Sequence, residues 1–298
     1  LVRHLFWVTI ILTAWAVVQF VTGWGIPHPW DVSIVQGRRA TGPFPYPNAL
    51  ALFVAPVGAY ALSFLARNTY HATRITQHVS RIREYLSMRR LAGVAVMASF
   101  IGVLLARSDG GFIALATVLW LAFFLKKRWR VWVLVTTLVG LLAVALVPAL
   151  HRPIIHELTF QGWSGKVRMY MWRDTRTMLE DHWLLGVGLG GYPTVFKFYQ
   201  RTTGIEVFQY PHNIVLNVWS EAGLIGVLAF GWILFTVFSG YVTKEERVAA
   251  FFPFLAILVH GLVDVPYFKN DLAILFWLLV WLTQKTSGFG YDEGARQK

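Results

Sequence analysis

The sequence contains no cysteine and few charged residues, and both absences narrow the class of protein. Without cysteine, disulfide bonds, thiolate metal sites and cysteine nucleophiles are excluded. Charged residues make up 14% of the 298 residues, whereas a soluble domain typically carries about 25%. Too little polar surface therefore remains to face water, and we expect much of the surface to face lipid.

Apolar residues, in contrast, are abundant: they make up 56% of the chain and occur in long runs. Such runs are typical of helices that cross a bilayer. We predict an all-α integral membrane protein, a single polytopic domain over residues 1–298, with about eight transmembrane helices. The first apolar run begins at the very start of the chain, so we expect an N-terminal truncation. The predicted spans are 5–22, 47–65, 91–106, 110–125, 131–150, 213–239, 248–264 and 271–284.

The basic residues are concentrated in a few loops and predict the orientation of the protein. The net charge is +12, but the charges flank apolar runs, so we expect contact with membrane lipids and no nucleic acid. If eight spans alternate, the basic loops at 66–90, 126–130 and 244–247 share one side, which the positive-inside rule makes cytoplasmic. A loop of roughly 60 residues, 151–212, then lies on the extracytoplasmic side, and loops of this length are often functional.

Two segments inside the loop 151–212 carry recognisable patterns. Residues 166–182 place their apolar side chains close to one stripe, which predicts an amphipathic helix. That helix either rests on lipid headgroups or contributes residues to a functional site. Glycines 186, 188 and 191 match G-x-G-x-x-G, but a dinucleotide site would need a preceding strand. We interpret these glycines as permitting a tight turn against the membrane surface.

Polar residues stand at and beyond the start of the sixth predicted span. His212 lies at or just before the N-terminus of a long helix, where free N–H groups favour a bound anion. The partial positive charge at the N-terminus of a helix also favours a neutral imidazole, which can act as a base. A lone histidine, however, is more often a capping or interfacial residue. Glu221 would lie about 13 Å deeper, on the opposite side of the helix, and we interpret it as a structural partner. Gly223 and Gly226 predict close helix packing nearby.

Together these segments resemble the O-antigen ligase / O-antigen polymerase superfamily (the Wzy C-terminal domain family, including WaaL-type ligases). The strongest similarity is PHNIVLNVWSEAGLIG at 211–226, followed by GKVRMYMWRDTRTMLEDHWLLGVGLGGY at 165–192. LLARSDGGFIAL at 104–115 is similar to a Ser-Arg-Gly segment of the family, with the arginine displaced to precede the serine. GRRATGPFPYPNALA at 37–51 is similar to a segment before an early span. The family usually has more spans than are predicted here.

The resemblance implies a membrane glycosyltransferase with the GT-C type of fold, located in the inner membrane with its site on the periplasmic face. It implies an inverting transfer of a glycan from a polyprenyl-diphosphate carrier to a hydroxyl of a glycan or lipid A-core acceptor. His212 and Arg168 are the implied catalytic residues. The expected diphosphate-binding residues are Arg168, Arg107 and Asn213, and the further candidates are Arg39, Glu221 and Asp264.

The chemistry of such a transfer fits the residues on the extracytoplasmic side. Negative charge develops on the diphosphate leaving group, and preorganised positive groups must stabilise it. No D-x-D segment is present there, so we expect no metal and no cofactor, with arginines in the place of a metal. The alternative is a transporter or flippase of lipid-linked glycans, which should carry polar residues along several spans. The sequence leaves the acceptor open between ligase, polymerase and protein glycosylation.

Overall fold

The computed structural model describes residues 1–66, 79–239, 244–266 and 270–288, and these residues form helices joined by turns, with no β-strand among them. The predicted all-α class is therefore confirmed. The helices are α1 (Val2–Thr22), α2 (Pro47–Ala66), α3 (Val79–Leu105), α4 (Asp109–Phe124), α5 (Lys127–Leu146), α6 (Pro148–Leu158), α7 (Trp163–His182), α8 (Tyr192–Phe196), α9 (Ile214–Ser239), α10 (Lys244–Gly261) and α11 (Asn270–Gly288).

Every predicted span falls on a helix, but the helices differ in length. Five in the described part of the chain are long and apolar enough to cross a membrane: α1, α2, Arg83–Leu105 of α3, α5 and α9. The other three predicted spans fall on shorter apolar helices, namely α4, Phe251–Gly261 of α10 and Leu272–Leu282 of α11. The chain is thus a helical membrane protein, and a total of eight spans stays a prediction.

Two predicted spans end earlier than expected. The span predicted over 131–150 stops at Leu146, because Val147 is extended and Pro148 begins α6. Proline suits the first position of a helix because its missing N–H would be unpaired there in any case. The span predicted over 248–264 ends at Gly261, and a turn over 262–265 follows.

The chain divides into two compact units, and each is described by itself. The first comprises Leu1–Ala122, Thr236–His260 and Pro266–Lys298. Its centre is built from alanine, valine and leucine side chains of α2, α3 and α4, which pack the helices closely. The buried side chains of this cluster include Leu50, Ala51, Val54, Ala55, Val103 and Leu115.

The second unit comprises Phe123–Phe235 and Gly261–Val265 and contains the helices α6, α7 and α8 of the predicted loop 151–212. The helix predicted over 166–182 is present as α7 and begins at Trp163. Its apolar stripe packs on protein and not on lipid headgroups, since it forms a buried cluster with α8. The cluster consists of Val167, Met171, Met178, Tyr192 and Phe196. Tyr192 is bonded to Thr175 at 2.8 Å between hydroxyl oxygens, and burial raises the pKa of Tyr192, so the phenol stays protonated.

The glycine-rich turn after α7 packs into a break in α9. At Gly223 the backbone has φ 69° and ψ −170°, a conformation that is essentially restricted to glycine. The turn and the helix exchange backbone hydrogen bonds on both sides of the break: Val187 N–H to Ser220 O at 2.8 Å, Gly188 N–H to Glu221 O at 3.0 Å, and Leu224 N–H to Trp183 O at 2.9 Å. The glycines thus serve contact with a broken apolar helix. The predicted tight turn is thus present, with positive φ at Gly186 and Gly188, and its place at the membrane surface stays a prediction.

Candidate functional site

His212 precedes α9 and has a left-handed backbone conformation, with φ 48°. This conformation is uncommon and costly for any residue other than glycine. Because α9 begins at Ile214, His212 does not follow the helical projection used in the sequence analysis. The inference that Glu221 lies opposite His212 assumed that both belong to one helix, and the start of α9 at Ile214 removes that basis.

The imidazole of His212 contacts a buried carboxylate. Its Nδ1 lies 3.2 Å from Oδ1 of Asp264, and the Asp264 side chain is 1% exposed. Asp264 Oδ1 also accepts the N–H of Val265 at 2.9 Å, which fixes the carboxylate. The rings of Phe208 and Tyr210 meet the imidazole edge to face. With its proton on Nδ1, His212 donates to Asp264 and leaves Nε2 as a base, so the pair has the geometry of an oriented catalytic histidine.

Arg168 lies on α7, and two of its three guanidinium nitrogens are held by neighbouring groups. Nε donates to the carbonyl of Val263 at 2.9 Å, and Nη1 donates to Oγ of Ser164 at 2.7 Å. Within the described ranges, no carboxylate forms an ion pair with Arg168 and no acceptor is bonded to its Nη2. The positive charge is therefore positioned by neutral groups and not neutralised by them, as a site for an anionic ligand requires.

The turn after α10 brings these residues together. Arg168 bonds to Val263, His212 bonds to Asp264, and the amide of Asn213 donates to the carbonyl of Leu262 at 3.0 Å. The three partners on the turn are consecutive residues, whose Cα atoms are about 3.8 Å apart. Arg168 and His212 are far apart in sequence, and each contacts one of two adjacent residues of this short turn.

Asn213 is occupied by the start of α9. Its Oδ1 accepts the N–H groups of Val215 and Leu216, both at 3.0 Å, which makes it the N-cap of the helix. Two of the N–H groups expected to attract an anion are thus bonded to Asn213, which weakens that argument for a phosphate at the helix end. A role for Asn213 toward the diphosphate stays a prediction and would rest on its remaining amide hydrogen.

Arg39 and Arg107 belong to the first unit. Arg39 donates from Nε to the carbonyl of Ala106 and from Nη2 to Oδ1 of Asn48, both at 2.8 Å, and its guanidinium lies over the ring of Trp30. Arg39 therefore supports the turn from which Arg107 projects. Arg107 has φ 46°, is exposed, and makes one long contact of 3.4 Å to the carbonyl of Ile34. Its side chain is accordingly only weakly held.

Glu221 and Asn217 are buried one helical turn apart on α9, beside the glycine-rich turn. Neither oxygen of the Glu221 carboxylate and neither polar atom of the Asn217 amide has a hydrogen-bond partner of standard geometry in the described part of the protein. The backbone amide of Gly190 interacts with the carboxylate but falls outside those geometric limits. Glu221 therefore lies in an environment of backbone groups from the glycine-rich turn, whereas His212 contacts a carboxylate.

The described residues offer no group of three histidine, cysteine, aspartate or glutamate side chains that is arranged to hold a metal. His212 and Asp264 form a pair without a third such ligand. The chemistry available at this site is therefore that of a histidine–aspartate pair beside an arginine.

The fold and site define a helical membrane protein in which a histidine–aspartate pair and an arginine contact one short turn. Residues 94–231, somewhat less than half of the chain, match the family model described as O-Antigen ligase (Wzy_C), and the predicted superfamily resemblance is confirmed. The matched stretch includes Arg107, Arg168 and His212 and ends before Asp264. The family supports an enzyme of the ligase or polymerase type that acts on a lipid-linked glycan in the membrane. A comparison with curated proteins finds no match.

Proposed function

We propose that the protein is a membrane glycosyltransferase that transfers a glycan from a polyprenyl-diphosphate carrier to an acceptor hydroxyl. The observation that carries this proposal is the contact of His212 with the buried Asp264, together with the hydrogen bond of Arg168 to Val263 in the same turn. A base and a fixed cation within one small region are what the transfer needs, because a proton leaves the acceptor while negative charge develops on the leaving group.

In the proposed reaction, His212 Nε2 takes the proton from the acceptor hydroxyl as the oxygen attacks the anomeric carbon. The bond from that carbon to the diphosphate oxygen breaks, and the lipid diphosphate leaves with the electron pair. Attack from the face opposite the leaving group inverts the anomeric centre. Asp264 stabilises the imidazolium that forms, and its bond to Nδ1 keeps Nε2 directed outward.

Arg168 is proposed to bind the diphosphate. A guanidinium matches two phosphate oxygens at once, and its charge replaces the metal that many phosphate-handling enzymes use. We further propose Arg107 and Asn213 as diphosphate ligands on the strength of the resemblance. Arg39 is proposed to support Arg107 through the carbonyl of Ala106.

The polyprenyl tail and the loop topology support a site at the extracytoplasmic boundary of the inner membrane. Each CH₂ group of the tail that entered water would cost about 0.8 kcal/mol, so the donor stays anchored in the bilayer. The acceptor sugar, a glycan or a lipid A-core, would arrive from the periplasmic side. The basic loops predicted to be cytoplasmic leave the loop 151–212 on that side.

The experiment that tests this function uses the purified protein in detergent or liposomes with a lipid-linked oligosaccharide and candidate acceptors, in the presence of EDTA. We expect glycosylated acceptor and free lipid diphosphate, with the anomeric configuration inverted. A protein that moves the donor between leaflets of a liposome without forming either product would be a transporter. Loss of product in EDTA that Mg²⁺ or Mn²⁺ restores would contradict the arginine-for-metal mechanism.

A further inference from the structure

The peptide group that precedes His212 is held by a side chain of α7. The indole N–H of Trp172 donates to the carbonyl oxygen of Pro211 at 2.8 Å. That oxygen lies in the plane of the Pro211–His212 peptide bond, and the plane is rigid. A hydrogen bond to it therefore restricts the rotation that sets φ of His212.

This restriction matters because His212 has an unfavourable backbone conformation. At φ 48° the residue is in the left-handed region, which a histidine leaves readily unless its surroundings hold it there. Two other contacts act on the same stretch, namely Asp264 on the imidazole and Leu262 on the side chain of Asn213. Neither of these acts on the peptide before His212, whereas Trp172 does.

Trp172 also lies one turn beyond Arg168 on α7, so the two side chains share a face of the helix. Arg168 bonds to Val263 in the turn that carries Asp264, and Trp172 bonds to the segment that carries His212. One helix therefore fastens both segments that contribute to the histidine–aspartate pair. The indole packs edge to face on Phe160, with ring centroids 5.4 Å apart, which fixes the direction of its N–H.

We propose that Trp172 is a positioning residue that holds His212 in the left-handed conformation and so directs its imidazole to Asp264. The inference rests on the proposed function of His212 as the base. Trp172 does not touch the reacting atoms in this account. Its effect passes through His212, and this distinguishes it from a tryptophan that only fills space.

The substitution that isolates the hydrogen bond is Trp172→Phe, which removes the N–H and keeps an aromatic ring against Phe160. Trp219→Phe is the matched control, because the indole of Trp219 donates to the carbonyl of Trp183 at the same distance of 2.8 Å. Both variants lose one indole–carbonyl bond in the second unit. The control leaves the segment before His212 untouched.

The measurement is steady-state glycan transfer, with kcat and KM for the lipid-linked donor. We expect Trp172→Phe to lower kcat about tenfold with little change in KM, since a hydrogen bond of ordinary strength is lost and acts on the chemical step. Trp219→Phe should keep the kcat of the natural protein. In a His212→Ala background, Trp172→Phe should cause no further loss, because residues that act through one group are not additive.

The outcomes separate this inference from the proposed function. If the natural protein transfers no glycan, or His212→Ala is fully active, the proposed function fails. If His212→Ala is impaired while Trp172→Phe matches Trp219→Phe in kcat, the positioning role is overturned. The two tryptophan variants could instead lose kcat equally, with a raised KM or a lowered thermal stability in both. That result would assign Trp172 to general packing and would also overturn its positioning role.

Discussion

Nδ1 of His212 lies 3.2 Å from Oδ1 of Asp264, across 51 intervening positions of the chain. The contact joins the residue before α9 to the turn after α10, and the carboxylate is almost fully buried. A buried carboxylate on Nδ1 fixes the tautomer of a histidine and stabilises its protonated form. The pair therefore explains how a partly exposed imidazole can act as an oriented base.

Asp264→Asn tests the charge of this pair while it preserves the shape of the side chain. An amide oxygen can still accept from Nδ1 and from Val265, but it cannot stabilise the imidazolium. We expect kcat to fall roughly 100-fold or more with donor affinity retained, as general-base catalysis is typically worth about 10²–10⁴-fold. The control is Asp181→Asn, which removes an exposed carboxylate bonded to Tyr199. Unchanged kcat in Asp264→Asn would remove Asp264 from the mechanism.

Arg168→Lys tests the requirement for a guanidinium. Lysine can place one charge near the turn, but it cannot donate to Val263 and present a planar fork to phosphate oxygens. We expect donor affinity and turnover to fall at least tenfold by the loss of one charge-assisted hydrogen bond. Arg176→Lys, an exposed arginine on the same helix, should behave like the natural protein. If Arg168→Lys kept full affinity and turnover, the proposed bidentate contact would not exist.

Gly223→Ala tests the break in α9. The added Cβ would overlap the carbonyl oxygen of Leu184, and alanine disfavours φ 69° with ψ −170°. We expect the substitution to lower the thermal midpoint or to prevent folding. Size-exclusion chromatography and thermal unfolding in detergent measure these effects. Gly231→Ala lies on the same helix with open space around the added atom, and it should be tolerated. Equal stability of the two variants would show that the break does not require glycine.

The sequence predicted the helices because their signals are local, whereas the choice of His212 and Arg168 came from the family resemblance and stays a prediction. Apolar runs mark spans, and the stripe at Val167 and Met171 marks α7. The partner of His212 was less visible: Asp264 follows an apolar run with nothing local to join it to a residue 52 positions earlier. The left-handed conformation of His212 and the break at Gly223 occur beside tertiary contacts that helical periodicity does not describe.

The sidedness of the site is tested by labelling of introduced cysteines, since the protein has none of its own. Thr203→Cys lies in the loop 151–212, and Thr76→Cys lies in the basic loop 66–90, at a position outside the described residues. We expect an impermeant thiol reagent to label Thr203→Cys in intact spheroplasts and Thr76→Cys only after permeabilisation. The opposite pattern would place the site in the cytoplasm.

The most direct test of the central claim compares donor binding and glycan transfer in His212→Ala. If His212 is the base, this variant should lose about 10²–10⁴-fold in kcat while its affinity for the lipid-linked donor stays close to that of the natural protein. His156→Ala, which changes an exposed histidine beside Glu157, serves as the control and should keep both quantities. Full transfer activity in His212→Ala, measured by product formed per enzyme, would contradict the account.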